Sequence, residues 1–208
     1  MPNRVLLKPG DMLDAEFVTR VRRALTYDQY MDQWRAKNDL TMKGLDKVQR
    51  RTRFYSKYNL ERQELVERKW EMSAEFRQAV IQVSGPLDLL FITDDWCIDS
   101  AYSLPMLKSI SEMRDDVSLR ILMKDDNLDI LDLFLTNGTR SIPKLVGLDF
   151  SGEVQFVWGP QPEEIRLIRK QLIDSEAEGR IVSGTTIEWY ADEGWIPVDT
   201  ELTALLSG

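Results

Sequence analysis

Apolar positions along the first part of the chain recur at helical spacing. Phe17, Val21 and Leu25 stand four residues apart behind Asp11, which predicts a helix over Leu13 to Leu25. Tyr27 to Trp34 reads as a second, shorter helix. From Leu60 to Val83, the apolar residues Leu65, Met72, Phe76, Val80 and Val83 have charges between them. They predict one long amphipathic helix ending at Ser84-Gly85-Pro86.

Beyond Pro86 the period alternates between strand and helix. Leu87 to Thr93 is a buried strand, Ser100 to Met113 a helix, and Val117 to Met123 a second strand. Leu128 to Leu135 is apolar at helical spacing and stops at Asn137-Gly138. Lys144 to Asp149 and Val154 to Trp158 form a hairpin across the polar turn Phe150-Ser151-Gly152-Glu153, and Glu163 to Glu178 is the last helix. The order β-α-β-α-β-β-α predicts an α/β fold in which a parallel pair precedes an antiparallel hairpin and helices flank a central mixed sheet. Three segments follow: a helical N-terminal extension over 1–85, an α/β domain over 86–178, and a tail over 179–208. The tail residues Ile187, Trp189, Tyr190, Trp195 and Ile196 are too apolar for a free linker and are expected to pack on the body or on a second copy of the chain.

Composition narrows the chemistry. Among 208 residues, 43% are hydrophobic and the net charge is −8, the profile of a soluble globular protein rather than a disordered or membrane one. Nucleic acid is not expected as a partner. The apolar stretch from Val5 to Leu7 is broken at once by Lys8-Pro9-Gly10, too short for a signal peptide, and no run approaches a membrane span; a cytoplasmic location is expected. One cysteine and no histidine exclude an intramolecular disulfide, a Cys/His zinc cluster and any Ser-His or Cys-His pair. No metal and no cofactor are expected.

The single cysteine, Cys97, lies in Thr93-Asp94-Asp95-Trp96-Cys97-Ile98-Asp99-Ser100, where a strand ends and a helix begins. Free backbone N–H groups and the positive helix end favour a thiolate there and predict a lowered pKa. Ser100 is placed to donate its hydroxyl to that thiolate. Asp95 and Asp99 read either as helix-start acids that favour the dipole or as proton relays, and a carboxylate beside Cys97 opposes the helix by raising the thiol pKa. The cluster Lys47, Arg50, Arg51, Arg53 and Lys57 reads as a solvated helical face or a contact to an acidic partner.

These residues resemble the thioredoxin superfamily, which carries Trp-Cys-x-x-Cys after its first core strand. Pro105 falls where the family kinks its active-site helix, Ile142-Pro143 resembles its cis-proline segment, and Gly159 fits the glycine at the edge of its substrate groove. The resemblance covers about Pro86 to Glu178 and implies a thioredoxin-like fold. A narrower resemblance is to a bacterial group with a helical N-terminal extension and a single-cysteine acidic-Trp-Cys-x-Asp-[Ala/Ser] site. Its markers read here as Asp95-Trp96-Cys97-Ile98-Asp99-Ser100, Asp125-Asp126-Asn127 and Thr136-Asn137-Gly138-Thr139-Arg140-Ser141-Ile142-Pro143, with Ile98 in place of the group's usual Gly.

The resemblance implies thiol-disulfide exchange by a monothiol mechanism. Cys97, Ser100 and Asp99 would be the catalytic set, and Trp96, Ile142, Pro143 and Gly159 would bind substrate. The expected partners are disulfide-containing or thiol-modified proteins, with an external low-molecular-weight thiol to release the mixed disulfide. Two other readings stand beside it: a binding module that reuses the fold without chemistry, and a redox sensor that oxidises Cys97.

Overall fold

The computed structural model describes residues 6–208; Met1 to Val5, the head of the short N-terminal apolar stretch, lie outside them. Four helices come first: α1 (Ala15–Arg22), α2 (Tyr27–Asp39), α3 (Lys47–Lys69) and α4 (Ala74–Gln82). Then follow β1 (Leu87–Thr93), α5 (Ile98–Met113), β2 (Val117–Met123), α6 (Leu128–Leu131), β3 (Lys144–Asp149), β4 (Val154–Trp158), α7 (Glu163–Asp174), α8 (Gly179–Ala191) and α9 (Trp195–Leu206).

The strands form one mixed sheet in the order β2-β1-β3-β4, with β1 parallel to β2 and antiparallel to β3, and β3 antiparallel to β4. Alternate side chains of β1 enter different cores, as a two-residue period requires. Leu87, Leu89 and Phe91 join α2, α4, α5 and α9 on one face, while Leu90 and Ile92 join Val18 and Val21 of α1, Ile130 of α6 and Cys97 on the other. Gly147 of β3 lies under the Phe156 ring of β4, where a Cβ would stand 2.5 Å from that ring. The close crossing of the hairpin therefore needs glycine at that position.

The helical part differs most from the sequence expectation over the segment from Leu60 to Val83, and α2 runs on to Asp39, past the expected end at Trp34. The predicted helix from Leu60 to Val83 is two helices, α3 and α4, separated at Trp70 to Ser73. Asp199 of α9 makes the break: its carboxylate accepts from Trp70 Nε1 at 2.9 Å and from Ser73 Oγ at 2.7 Å, and Ser73 Oγ in turn accepts the Phe76 N–H that starts α4. The same helix also starts earlier than its apolar pattern, at Lys47, under a capping box between Asp46 and Gln49. α2 starts under a matching box between Thr26 and Gln29.

Residues 179–208 are two helices packed on the body. Tyr190 stacks on Tyr102 of α5 with ring centroids 4.4 Å apart, and Trp195, Val198, Leu202 and Leu206 are buried in the larger core. α9 lies against α4 and α5, so the chain's two ends enclose α5 between them.

Candidate functional site

β1 ends at Thr93, and a short turn closed by the Cys97 N–H on the Asp94 carbonyl at 3.1 Å leads into α5 with Cys97 as its N-cap residue. Two elements of the N-terminal helices brace this turn. Lys37 of α2 pairs with the Asp95 carboxylate at 2.5 Å, and Asn59 of α3 donates to the Asp95 carbonyl at 3.4 Å. Trp96 stands partly exposed, at 37%, with the Lys124 ammonium 5.6 Å from its ring centroid. On the opposite side the Ile142–Pro143 peptide bond is cis and the Ile142 carbonyl faces the Cys97 Sγ at 3.5 Å.

Gly159 sits beside that proline at a φ of +104°, and a Cβ there would stand 2.4 Å from the Pro143 carbonyl oxygen. Both the dihedral and the close approach require glycine. Lys144, next after Pro143, is buried and donates to Thr136 Oγ1 at 2.6 Å and to the Gly159 carbonyl at 3.2 Å, tying β3 to the end of β4. Burial lowers its pKa to about 8.

The chemistry at the sulfur differs from the expected one. Cys97 is buried, and its thiol is pushed up to about 12, first by burial and then by the Asp99 carboxylate; Ser100 and nearby backbone N–H groups pull the other way but are outweighed. The expectation of a lowered pKa is corrected accordingly: the helix terminus stabilises a thiolate only modestly, whereas removing the sulfur from water costs more. The Ser100 hydroxyl, one of the groups that pull the thiol pKa down, also accepts from Thr93 Oγ1 of β1 at 2.5 Å.

Asp99 is no solvated helix-start acid. It is buried; one carboxylate oxygen lies 3.8 Å from Cys97 Sγ, and the other accepts from the Tyr190 hydroxyl at 2.8 Å. Burial raises its pKa to about 6, against the stabilising pull of the Tyr190 hydroxyl and the more distant Arg169. Asp94 is also buried and raised to about 7, by burial and by Asp125 and Asp95. The line Cys97–Asp99–Tyr190 joins the cysteine to the C-terminal helices. Sequence reasoning placed Tyr190 only among apolar tail residues, and it read neither Lys37, Asn59 nor Arg169 as parts of the site. No local signal points to any of the four, since each reaches the site across a long chain separation.

A four-stranded mixed sheet with a cysteine capping the helix after its first strand, facing a cis-proline at the head of the third, is the arrangement of a thioredoxin-type protein. The family model described as thioredoxin matches residues 45–173, and the chain belongs to that family. The match takes in α3 and α4 as well as the sheet. No curated protein matches the sequence. Among solved structures, the chain is similar to a protein of unknown function, PA1234 from Pseudomonas aeruginosa. The two are 15% identical with a TM-score of 0.52, over 88% of this chain and 98% of that one. An HIV epitope-scaffold matches at 14% identity and a TM-score of 0.52, over 88% of this chain and 99% of its own. Both likenesses are of fold.

Among the described residues, no group of His, Cys, Asp and Glu could hold a metal ion, and no helix is long and apolar enough to cross a membrane.

Proposed function

We propose that this protein carries out thiol-disulfide exchange by a monothiol mechanism in which Asp99 is the general base for Cys97, and that it belongs to the single-cysteine bacterial group of thioredoxin-like proteins. The observation that carries the reading is the buried contact between a protonated thiol and a carboxylate of pKa about 6, at 3.8 Å. At neutral pH Asp99 is ionised and Cys97 is not. Nucleophilic attack then needs the proton removed as the bond forms, and Asp99 is the group in reach. A thiolate of high intrinsic pKa is also the stronger nucleophile once formed.

In the first step Cys97 attacks one sulfur of a disulfide. The new sulfur–sulfur bond forms as the old one breaks, the thiol proton passes to Asp99, and the departing thiolate takes it up. In the second step an external thiol attacks the mixed disulfide, forming a new disulfide and returning Cys97 as a thiol. Ile142 and Pro143 would bind the substrate chain through their backbone, with Gly159 keeping that edge open and Trp96 covering it. Ser100, whose hydroxyl accepts from Thr93, would donate its own proton to the sulfur during the exchange.

The test is the pH dependence of disulfide exchange in wild type and Asp99→Asn. A general base predicts a rate that rises through about pH 6, and a variant slowed at least tenfold at pH 7 without that rise. If Asp99 merely repels the thiolate, the variant reacts faster than wild type, and the proposal fails.

The burial of Cys97 favours one second reading, a binding module that uses the fold without chemistry. Under it, Cys97→Ser keeps the full partner set.

A further inference from the structure

We propose that the cleft beside Trp96 is an anion-binding subsite that holds the carboxylates of a low-molecular-weight disulfide or thiol while that molecule exchanges at Cys97. The idea rests on the exchange reading above and names its substrate class.

The cleft, of about 190 Å³, lies between α3, the turn into α5, α7 and α8. Arg51, Tyr55 and Arg62 come from α3, and Arg169 comes from α7. Trp96 and Ile98, the two neighbours of Cys97 in the chain, both line it. A second hollow of about 400 Å³ shares Arg51, Tyr55 and Trp96 and adds Lys47, so the two adjoin along one trough. Cys97, Pro143 and Gly159 line neither hollow, so the trough lies beside the sulfur, across Trp96 and Ile98, and is separate from the cis-proline side of the site.

Charge makes the trough unusual. The chain holds 35 acidic against 27 basic residues, yet no Asp or Glu lines either hollow. Among the described residues, none of Arg51, Arg62 and Arg169 has a carboxylate oxygen within 4.0 Å, whereas Arg20, Arg22, Arg114 and Arg140 each do.

Instead each of the three is held by a neutral group. Arg51 lies over the Tyr55 ring at 5.6 Å, Arg62 donates to Asn59 Oδ1 at 2.8 Å, and Arg169 donates to Thr186 Oγ1 at 2.9 Å. Such contacts orient a guanidinium and leave most of its five N–H donors for an anion. Arg169 also reaches electrostatically to Asp99, so the cationic end of the trough and the proton-accepting carboxylate act on one another. The dimensions suit a small molecule, and the aromatic walls of Tyr55 and Trp96 suit its apolar links.

The experiment measures the rate at which Cys97 forms mixed disulfides with three probes: glutathione disulfide, which carries carboxylates, uncharged hydroxyethyl disulfide, and cationic cystamine. Wild type at low salt should prefer glutathione disulfide. In the double variant Arg51→Gln/Arg62→Gln that rate should fall about five- to tenfold, with hydroxyethyl disulfide changed less than about twofold. Arg51→Lys/Arg62→Lys should recover most of the loss.

A parallel calorimetric titration of Cys97→Ser with reduced glutathione separates binding from chemistry. Binding that the two Gln substitutions abolish supports the subsite, even if no disulfide of any charge reacts and the exchange reading falls. Equal rates for all three probes, with neither rates nor glutathione binding changed by the Gln substitutions, would overturn the subsite while leaving exchange intact. If no probe reacts and glutathione does not bind Cys97→Ser, both proposals are refuted.

Discussion

Cys97 and Asp99 lie buried side by side at the start of α5, and each acts on the other's proton affinity. Burial raises both, the Asp99 charge raises the thiol further, and the Tyr190 hydroxyl lowers the carboxyl by donating to it. Asp99 has a consequence for stability. Its folded pKa of about 6 lies above the ordinary carboxyl value of 3.8, so between those values the folded chain binds more protons than the unfolded one. Its contribution to stability is therefore fully present below pH 3.8 and is lost as pH rises through about 6. Asp99→Asn should remove that loss, of the order of 3 kcal/mol, so chemical denaturation at pH 4 and pH 7 should show a smaller difference for the variant than for wild type. An unchanged difference would place the carboxyl in a wetter setting than the structure gives it.

At the scale of elements, all four strands were legible to the residue, because β1 to β4 are short apolar runs bounded by Gly, Pro and charged residues. The helices were less so, and α3 shows why. Its inward face carries Ser56, Asn59 and Gln63, which are buried and hydrogen-bonded to Trp34, Asp95 and Tyr27, so no hydrophobic period marks its first half. The break before α4 was hidden for a related reason: its cause, Asp199, lies far along the chain.

The break gives a prediction. Ser73→Ala removes the α4 N-cap and one bond to Asp199, and should cost about 1–2 kcal/mol in urea denaturation with no change in the reactivity of Cys97. A change in that reactivity would show that the break is coupled to the site.

Across the whole molecule, the strand ends supply the positions of the candidate site while helices from both ends of the chain supply their surroundings. Cys97, Pro143 and Gly159 could be found from local motifs at strand ends. Lys37, Asn59, Arg169 and Tyr190 could not, since they meet the site only once α2, α3, α7 and α8 are packed. The reversed expectation at Cys97 has its cause in the other core, where the sulfur is buried among Leu90, Ile92, Leu122 and Ile142: a strand-to-helix cysteine open to solvent would ionise easily, and here that burial outweighs the helix terminus.

The measurement that tests this most directly is the thiolate absorbance of Cys97 as a function of pH, read as the difference between wild type and Cys97→Ser. A thiol held near 12 predicts no thiolate signal from Cys97 at pH 7, and none until the solution is well above the ordinary thiol value of 9.0. A thiolate already present at pH 7 would contradict the buried, protonated thiol and remove the need for Asp99 as its base.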